Sequence, residues 1–178
     1  MLLAGLLFFG MAAKMGPAPA LPFEDWGACP FEGCAYREWS ALKPVVVYDS
    51  WKAGRRVSGH LQKGEKVVGV RGVVITFRPG VVIAQRDMPA EGLKRGDRVL
   101  TYTYVGEGYA LAWYHGRLDA IDVATAETPA SGCVATGCPK AEIDAGKKEW
   151  WAEVRLKSGR TGWVLMEGML FDGVDRLG

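Results

Sequence analysis

Four cysteines are the residues whose type and spacing most directly suggest chemistry in this chain. They form two pairs of one pattern, Cys29 with Cys34 and Cys133 with Cys138, both C-x₄-C, with Gly33 and Gly137 before the second member. Pro30 and Pro139 each follow a cysteine, so both segments read as turns. Two chemistries suit such a set. In an oxidising compartment the four cysteines pair as two disulfides, in any of three connectivities. Local bridges would each close a small loop and contribute about 2 kcal/mol in the chain-entropy model. Crossed bridges would tie the early pair to the late one and contribute more. The rival is a four-cysteine zinc site built from two knuckles, whose usual spacing is C-x₂₋₄-C. The C-x-x-C spacing of a redox-active pair does not occur. Disulfides are the expectation, with no metal and no cofactor.

The other reactive side chains form no catalytic signature. His60 and His115 both adjoin turn glycines, and no nucleophile elbow, zinc-protease helix, phosphate loop or dinucleotide fingerprint is present. A non-catalytic protein is expected. Formal net charge is +2 over 178 residues, too weak a basic field for non-specific nucleic-acid binding. Binding chemistry is better represented. Trp151 alternates with Glu153, Arg155 and Lys157, so it stands on the charged face of its strand, where an aromatic ring suits stacking on a sugar or clamping a peptide. Trp51, Lys52, Arg55 and Arg56 crowd one polar loop, and paired arginines suit carboxylates.

These residues need strands to position them. Trp150 to Leu156 alternates, with Trp150, Ala152, Val154 and Leu156 on the core face; Ser158-Gly159 turns the chain and Thr161 to Val164 returns. Val45 to Tyr48 is a β-branched strand start, and Val67 to Ile75 a strand region interrupted by glycines. Leu93-Lys94-Arg95-Gly96-Asp97-Arg98-Val99 echoes Leu61-Gln62-Lys63-Gly64-Glu65-Lys66-Val67. Tyr109 to Tyr114 and Arg117 to Val123 form a second hairpin, with Trp113 and Leu111 expected in the core. No stretch sustains a helical period, so the expected class is all-β, as one or two small barrels.

The flanks complete the organisation. Residues 1–20 read as a secretory signal peptide, with an apolar run to Ala13 too short to span a bilayer, and Ala18-Pro19-Ala20 as the cleavage region. Residues 21–43, with Trp26, Phe31, Tyr36 and Trp39, read as a Cys-containing aromatic arm strapped over the main domain. Residues 125–145 read as a connection carrying the second cysteine pair. A secreted or periplasmic location follows, with no stable membrane span after cleavage.

In order, Val45 to Tyr48, Leu61 to Val67 and Trp151 to Val164 resemble the bacterial SH3-type domain: a strand, a polar loop, a Leu-x-x-Gly-acid-x-Val segment and a Trp-led hairpin ending Gly-x-x-Gly-Trp-Val. Gly159-Arg160-Thr161-Gly162-Trp163-Val164 is the most specific part. The chain departs from a simple copy in its middle, where Leu61 lies far upstream of Trp151 while Leu93 and Trp113 keep compact spacing. One arrangement makes an outer barrel of 44–78 plus 146–170 around an inserted partial unit, 79–124; the other places two barrels in series, 44–90 and 91–170. The resemblance implies a secreted binding module for cell-wall peptidoglycan or an envelope protein, with the groove near Trp151, Trp51, Arg55, Arg56 and Tyr114. The alternative is a structural or interaction protein of the envelope with a four-cysteine zinc site.

Overall fold

The computed structural model describes residues 16–127 and 144–176. The chain is nearly all β, with a sheet curled into a half-barrel and a second, smaller sheet. The strands are β1 (Phe23–Trp26), β2 (Glu38–Ala41), β3 (Val45–Tyr48), β4 (Val57–Leu61), β5 (Lys66–Arg78), β6 (Gly80–Ile83), β7 (Arg98–Gly106), β8 (Tyr109–Tyr114), β9 (Arg117–Asp122), β10 (Lys147–Arg155), β11 (Thr161–Leu165) and β12 (Phe171–Asp172). One short helix, α1 (Val123–Glu127), occurs among the described residues. The larger sheet runs β12-β2-β5-β10-β11-β3-β4, with β1 also paired to β5; the smaller runs β6-β7-β8-β9. Strands from both sides of the smaller sheet's segment therefore share the larger sheet. Residues 21–43 are not a strap laid over it: they supply β1 and β2, both hydrogen-bonded to β5. The apolar run at 1–13 lies outside the described residues, as do Cys133 and Cys138.

β5 is the spine. Its thirteen residues are dominated by Val and Ile, which suit an extended backbone, and Val73, Val74, Ile75 and Thr76 are all buried because both faces are covered. Two glycines admit the segment after the first cysteine pair. A Cβ at Gly72 would stand 2.0 Å from Tyr36 Oη and 2.7 Å from Trp150 Nε1; one at Gly69 would stand 2.5 Å from the Trp39 ring. Tyr36 donates its hydroxyl hydrogen to the Ala28 carbonyl and accepts from Trp150 Nε1 at 3.3 Å. Burial pushes the Tyr36 hydroxyl up to about 12, against a small opposing effect of the Trp150 hydrogen bond.

The sequence echo is a structural one, bond for bond. Gly64 N–H donates to Ala41 O at 2.7 Å, and Gly96 N–H to Ala84 O at 2.7 Å. Ala41 N–H donates to Glu65 O, and Ala84 N–H to Asp97 O, both at 2.9 Å. The Glu65 carboxylate accepts from Gln62 N–H as the Asp97 carboxylate accepts from Lys94 N–H. Gly64 and Gly96 both take positive φ, 83° and 92°, which glycine adopts without steric cost. Each turn carries a buried Leu before it and a buried Val after it: Leu61 and Val67, Leu93 and Val99. Each then leads into a long strand, β5 or β7, paired with the strand that ends at the alanine or just before it, β2 or β6.

Three apolar clusters result. Trp39, Val45, Val47, Leu61, Val67, Ala152, Val154, Val164 and Phe171 pack together on one side of the larger sheet. Val73, Ile75, Trp151 and Trp163, with Tyr48, Trp51 and Leu165 packed on them, lie on its other side. Leu93, Val99, Ala112, Tyr114 and Ile121 centre the smaller sheet.

Candidate functional site

The cluster on the second side of the larger sheet builds the candidate site. Register places its members in rows. Trp151 lies opposite Val73 and Leu165, and Val73 in turn lies opposite Trp26 on β1. Glu153 lies opposite Arg71 and Trp163, and Trp163 opposite Tyr48. The loop between β3 and β4 folds over these rows. Asp49 and Arg56 close its neck: Asp49 N–H donates to Arg56 O, and Arg56 N–H to Asp49 Oδ1 at 2.8 Å.

Above the neck, Trp51 meets Trp26 and Trp163 edge-on, with ring centres 5.6 and 6.5 Å apart. The Arg55 guanidinium lies 4.4 Å from the Trp151 ring centre and 5.4 Å from that of Tyr48. Lys52 Nζ stands 5.4 Å from the Trp51 ring centre, and Arg71 stacks over Trp26 while its Nε donates to Glu153 at 2.7 Å. Two indole N–H groups donate to carboxylates, Trp151 to Glu149 at 2.9 Å and Trp26 to Glu24 at 3.1 Å.

Beside this loop runs a groove of about 300 Å³. Ile75 and the half-exposed Phe77 give it an apolar floor; Trp51, Lys52, Ala53 and Arg55 line one wall, and Pro22, Glu24 and Glu149 line the rest. Arg71 has its carboxylate, but Arg55 makes no ion pair among the described residues. Its guanidinium is held flat by stacking, and its hydrogen bond to the Lys52 carbonyl is a long one, 3.5 Å. A guanidinium fixed in plane with donors to spare is prepared for a carboxylate in bidentate geometry.

The sequence-derived candidates divide. Trp51 and Arg55 reach the groove together. Trp151 does belong to the face opposite Ala152 and Val154, but that face is not wet: Trp151 is 0% exposed. Tyr48 and Arg55 pack on its ring, so it supports Arg55 and cannot itself be an open platform. Arg56 is exposed at the loop neck and does not line the groove. Tyr114 is 1% exposed in the core of the smaller sheet, under the Arg117 guanidinium, and is not a groove residue. Its strand turns Ala110, Ala112 and Tyr114 inward and leaves Leu111 and Trp113 only partly covered, the reverse of the expectation, because alternation defines two faces without ranking them.

The expected disulfide framework divides too. Cys29 and Cys34 are joined in a disulfide with Cα atoms 5.5 Å apart, so the bridge of this pair is local, not crossed. Neither then offers a thiolate to a four-cysteine zinc site. The expected bridging of Cys133 and Cys138 falls outside the described residues.

Glu24, Glu149 and Trp26 are groove or cluster residues that the sequence did not single out. Glu149 had a visible signal, since it precedes Trp151 by two and so shares its face; Glu24 and Trp26 had none, because the pairing of β1 to β5 is long-range.

Among the described residues, no helix is long and apolar enough to cross a membrane, and no group of three or more potential ligands for a metal ion occurs. The chain matches no protein-family model, no curated protein and no solved structure.

Proposed function

We propose that this protein is a secreted, non-catalytic binding module of SH3-like type that holds a carboxylate-bearing cell-wall glycopeptide in the groove beside the β3–β4 loop. The observation that carries this reading is Arg55: stacked on Trp151, lining an open groove, and without an ion-pair partner among the described residues. Trp51 supplies an aromatic edge for a sugar or an aliphatic side chain, and Lys52 a second cation. Glu24 and Glu149 favour a ligand that also carries an amine, as a peptide with a free ammonium group does. The Gly159 to Val164 ending and the polar loop before Leu61 are the sequence features that support the SH3-like reading.

The test is co-sedimentation of the purified protein with isolated peptidoglycan sacculi. Wild type is expected to pellet with them, Arg55→Ala to lose about tenfold in affinity, and Arg55→Lys to recover only part, since lysine keeps the charge without the planar fork. Wild type remaining wholly in the supernatant would end the wall reading.

A further inference from the structure

The larger and smaller sheets are separated by a cleft that the groove reading does not use. One end, about 280 Å³, lies between the end of β1 and β7; the other, about 430 Å³, lies between the Cys29–Cys34 loop and the β7–β8 turn. Cys29 and Val105 wall both.

The charged groups in the cleft are all of one sign. Asp25, Glu32 and Glu107 line it, and no lysine, arginine or histidine among the described residues does. None of the three carboxylates makes an ion pair among the described residues, while Glu38, Asp87, Asp144 and Glu153 elsewhere all do. Aromatic rings stand beside them with large exposed areas: Tyr104 at 37% and Tyr109 at 41%. A second, independent feature lies at the bottom. Thr103 lines the smaller end and is 1% exposed, and its hydroxyl oxygen, with under 1 Å² accessible, has no hydrogen-bond partner among the described residues. A buried hydroxyl without a partner costs free energy, so its retention calls for an explanation.

We infer that this cleft binds an ammonium-bearing ligand, the side chain of a lysine-type residue in an extended peptide. Carboxylates pair with the ammonium, aromatic faces attract it through their quadrupoles, and the Thr103 hydroxyl accepts one of its N–H groups. The inference rests on none of the groove residues, since Arg55, Glu24 and Glu149 do not line the cleft.

The probe is trilysine, titrated into the full chain at low salt and followed by the Val105 backbone N–H signal in NMR spectra. Trilysine is expected to shift that signal saturably, and the fully acetylated peptide to leave it in place. Asp25→Asn with Glu107→Gln should weaken binding about tenfold. Thr103→Val, which swaps an unpartnered hydroxyl for a methyl of the same shape, should weaken it about threefold without lowering the melting temperature. Glu167→Gln, at a carboxylate outside the cleft, should change nothing. Equal binding of the acetylated peptide, equal loss with Glu167→Gln, no shift with trilysine, or a shift caused by chitotriose in its place would each overturn the inference. Glu24→Gln with Glu149→Gln, which removes the groove's carboxylates, should leave the trilysine shift unchanged and so separates this site from the groove.

Discussion

The turn after Leu61 and the turn after Leu93 are built from the same bonds, yet the chain that leads into each differs. In the smaller sheet, Met88 and Leu93 simply exchange backbone hydrogen bonds across a tight bend. In the larger sheet, the corresponding pairing of Val45 with Leu61 opens into the β3–β4 hairpin and the loop that carries Trp51, Lys52 and Arg55. The smaller copy shows that the turn and its long strand form without such a loop. What the loop adds is therefore not required by the frame. It adds stacked cations, an aromatic edge and a groove, and these are the parts suited to a ligand.

Variants can strain this comparison, beginning with the largest effect. Trp151→Ala removes a fully buried indole beneath the loop and should destabilise the protein by about 4 kcal/mol in chemical denaturation. A loss under about 1 kcal/mol would mean that the loop does not rest on it. Gly72→Ala drives a methyl group into the Tyr36 hydroxyl and the Trp150 indole nitrogen and should cost about 3 kcal/mol.

Gly64→Ala and Gly96→Ala test the likeness itself. Both positions have open space around a would-be Cβ, so only the positive φ matters, and each should cost about 1–2 kcal/mol. Costs differing by more than about 1 kcal/mol would break the equivalence of the two turns.

Tyr36→Phe leaves the Ala28 carbonyl and the Trp150 N–H without their partner and should cost about 1 kcal/mol at neutral pH. Its pH dependence has a definite sign. The folded hydroxyl ionises near 12 and the unfolded one near 10, so the unfolded chain releases its proton first. Stability from this group is complete below pH 10 and falls as the pH rises from 10 towards 12. The variant should show a shallower alkaline loss than wild type when melting temperatures are followed across that range.

Much of the frame was legible in the sequence. The β-branched runs, the Gly-centred turns and the repeated Leu-to-Val heptad announce an all-β chain and place its turns. Alternation also separated Trp150, Ala152 and Val154 from Trp151. It could not say that the second face of β10 would be covered, because the covering pieces, Tyr48 and the β3–β4 loop, arrive from far away in the chain. The same limit explains Tyr114, where two apolar faces competed and small residues at Ala110 and Ala112 let that side pack closer. Trp51 and Arg55 were legible as a cluster of chemistry in a polar loop; Arg56 carried the same signal and yet the loop neck turns it away from the groove.

That last contrast between adjacent arginines gives the most direct test. Arg55→Ala and Arg56→Ala remove the same charge from the same loop, so net electrostatics cannot separate them. Sacculus-binding isotherms of the two variants are expected to differ: Arg55→Ala weakens binding about tenfold, and Arg56→Ala by less than about twofold. Equal losses, or a larger loss at Arg56, would contradict the claim that the stacked guanidinium at the groove wall, and not the loop's charge, recognises the ligand.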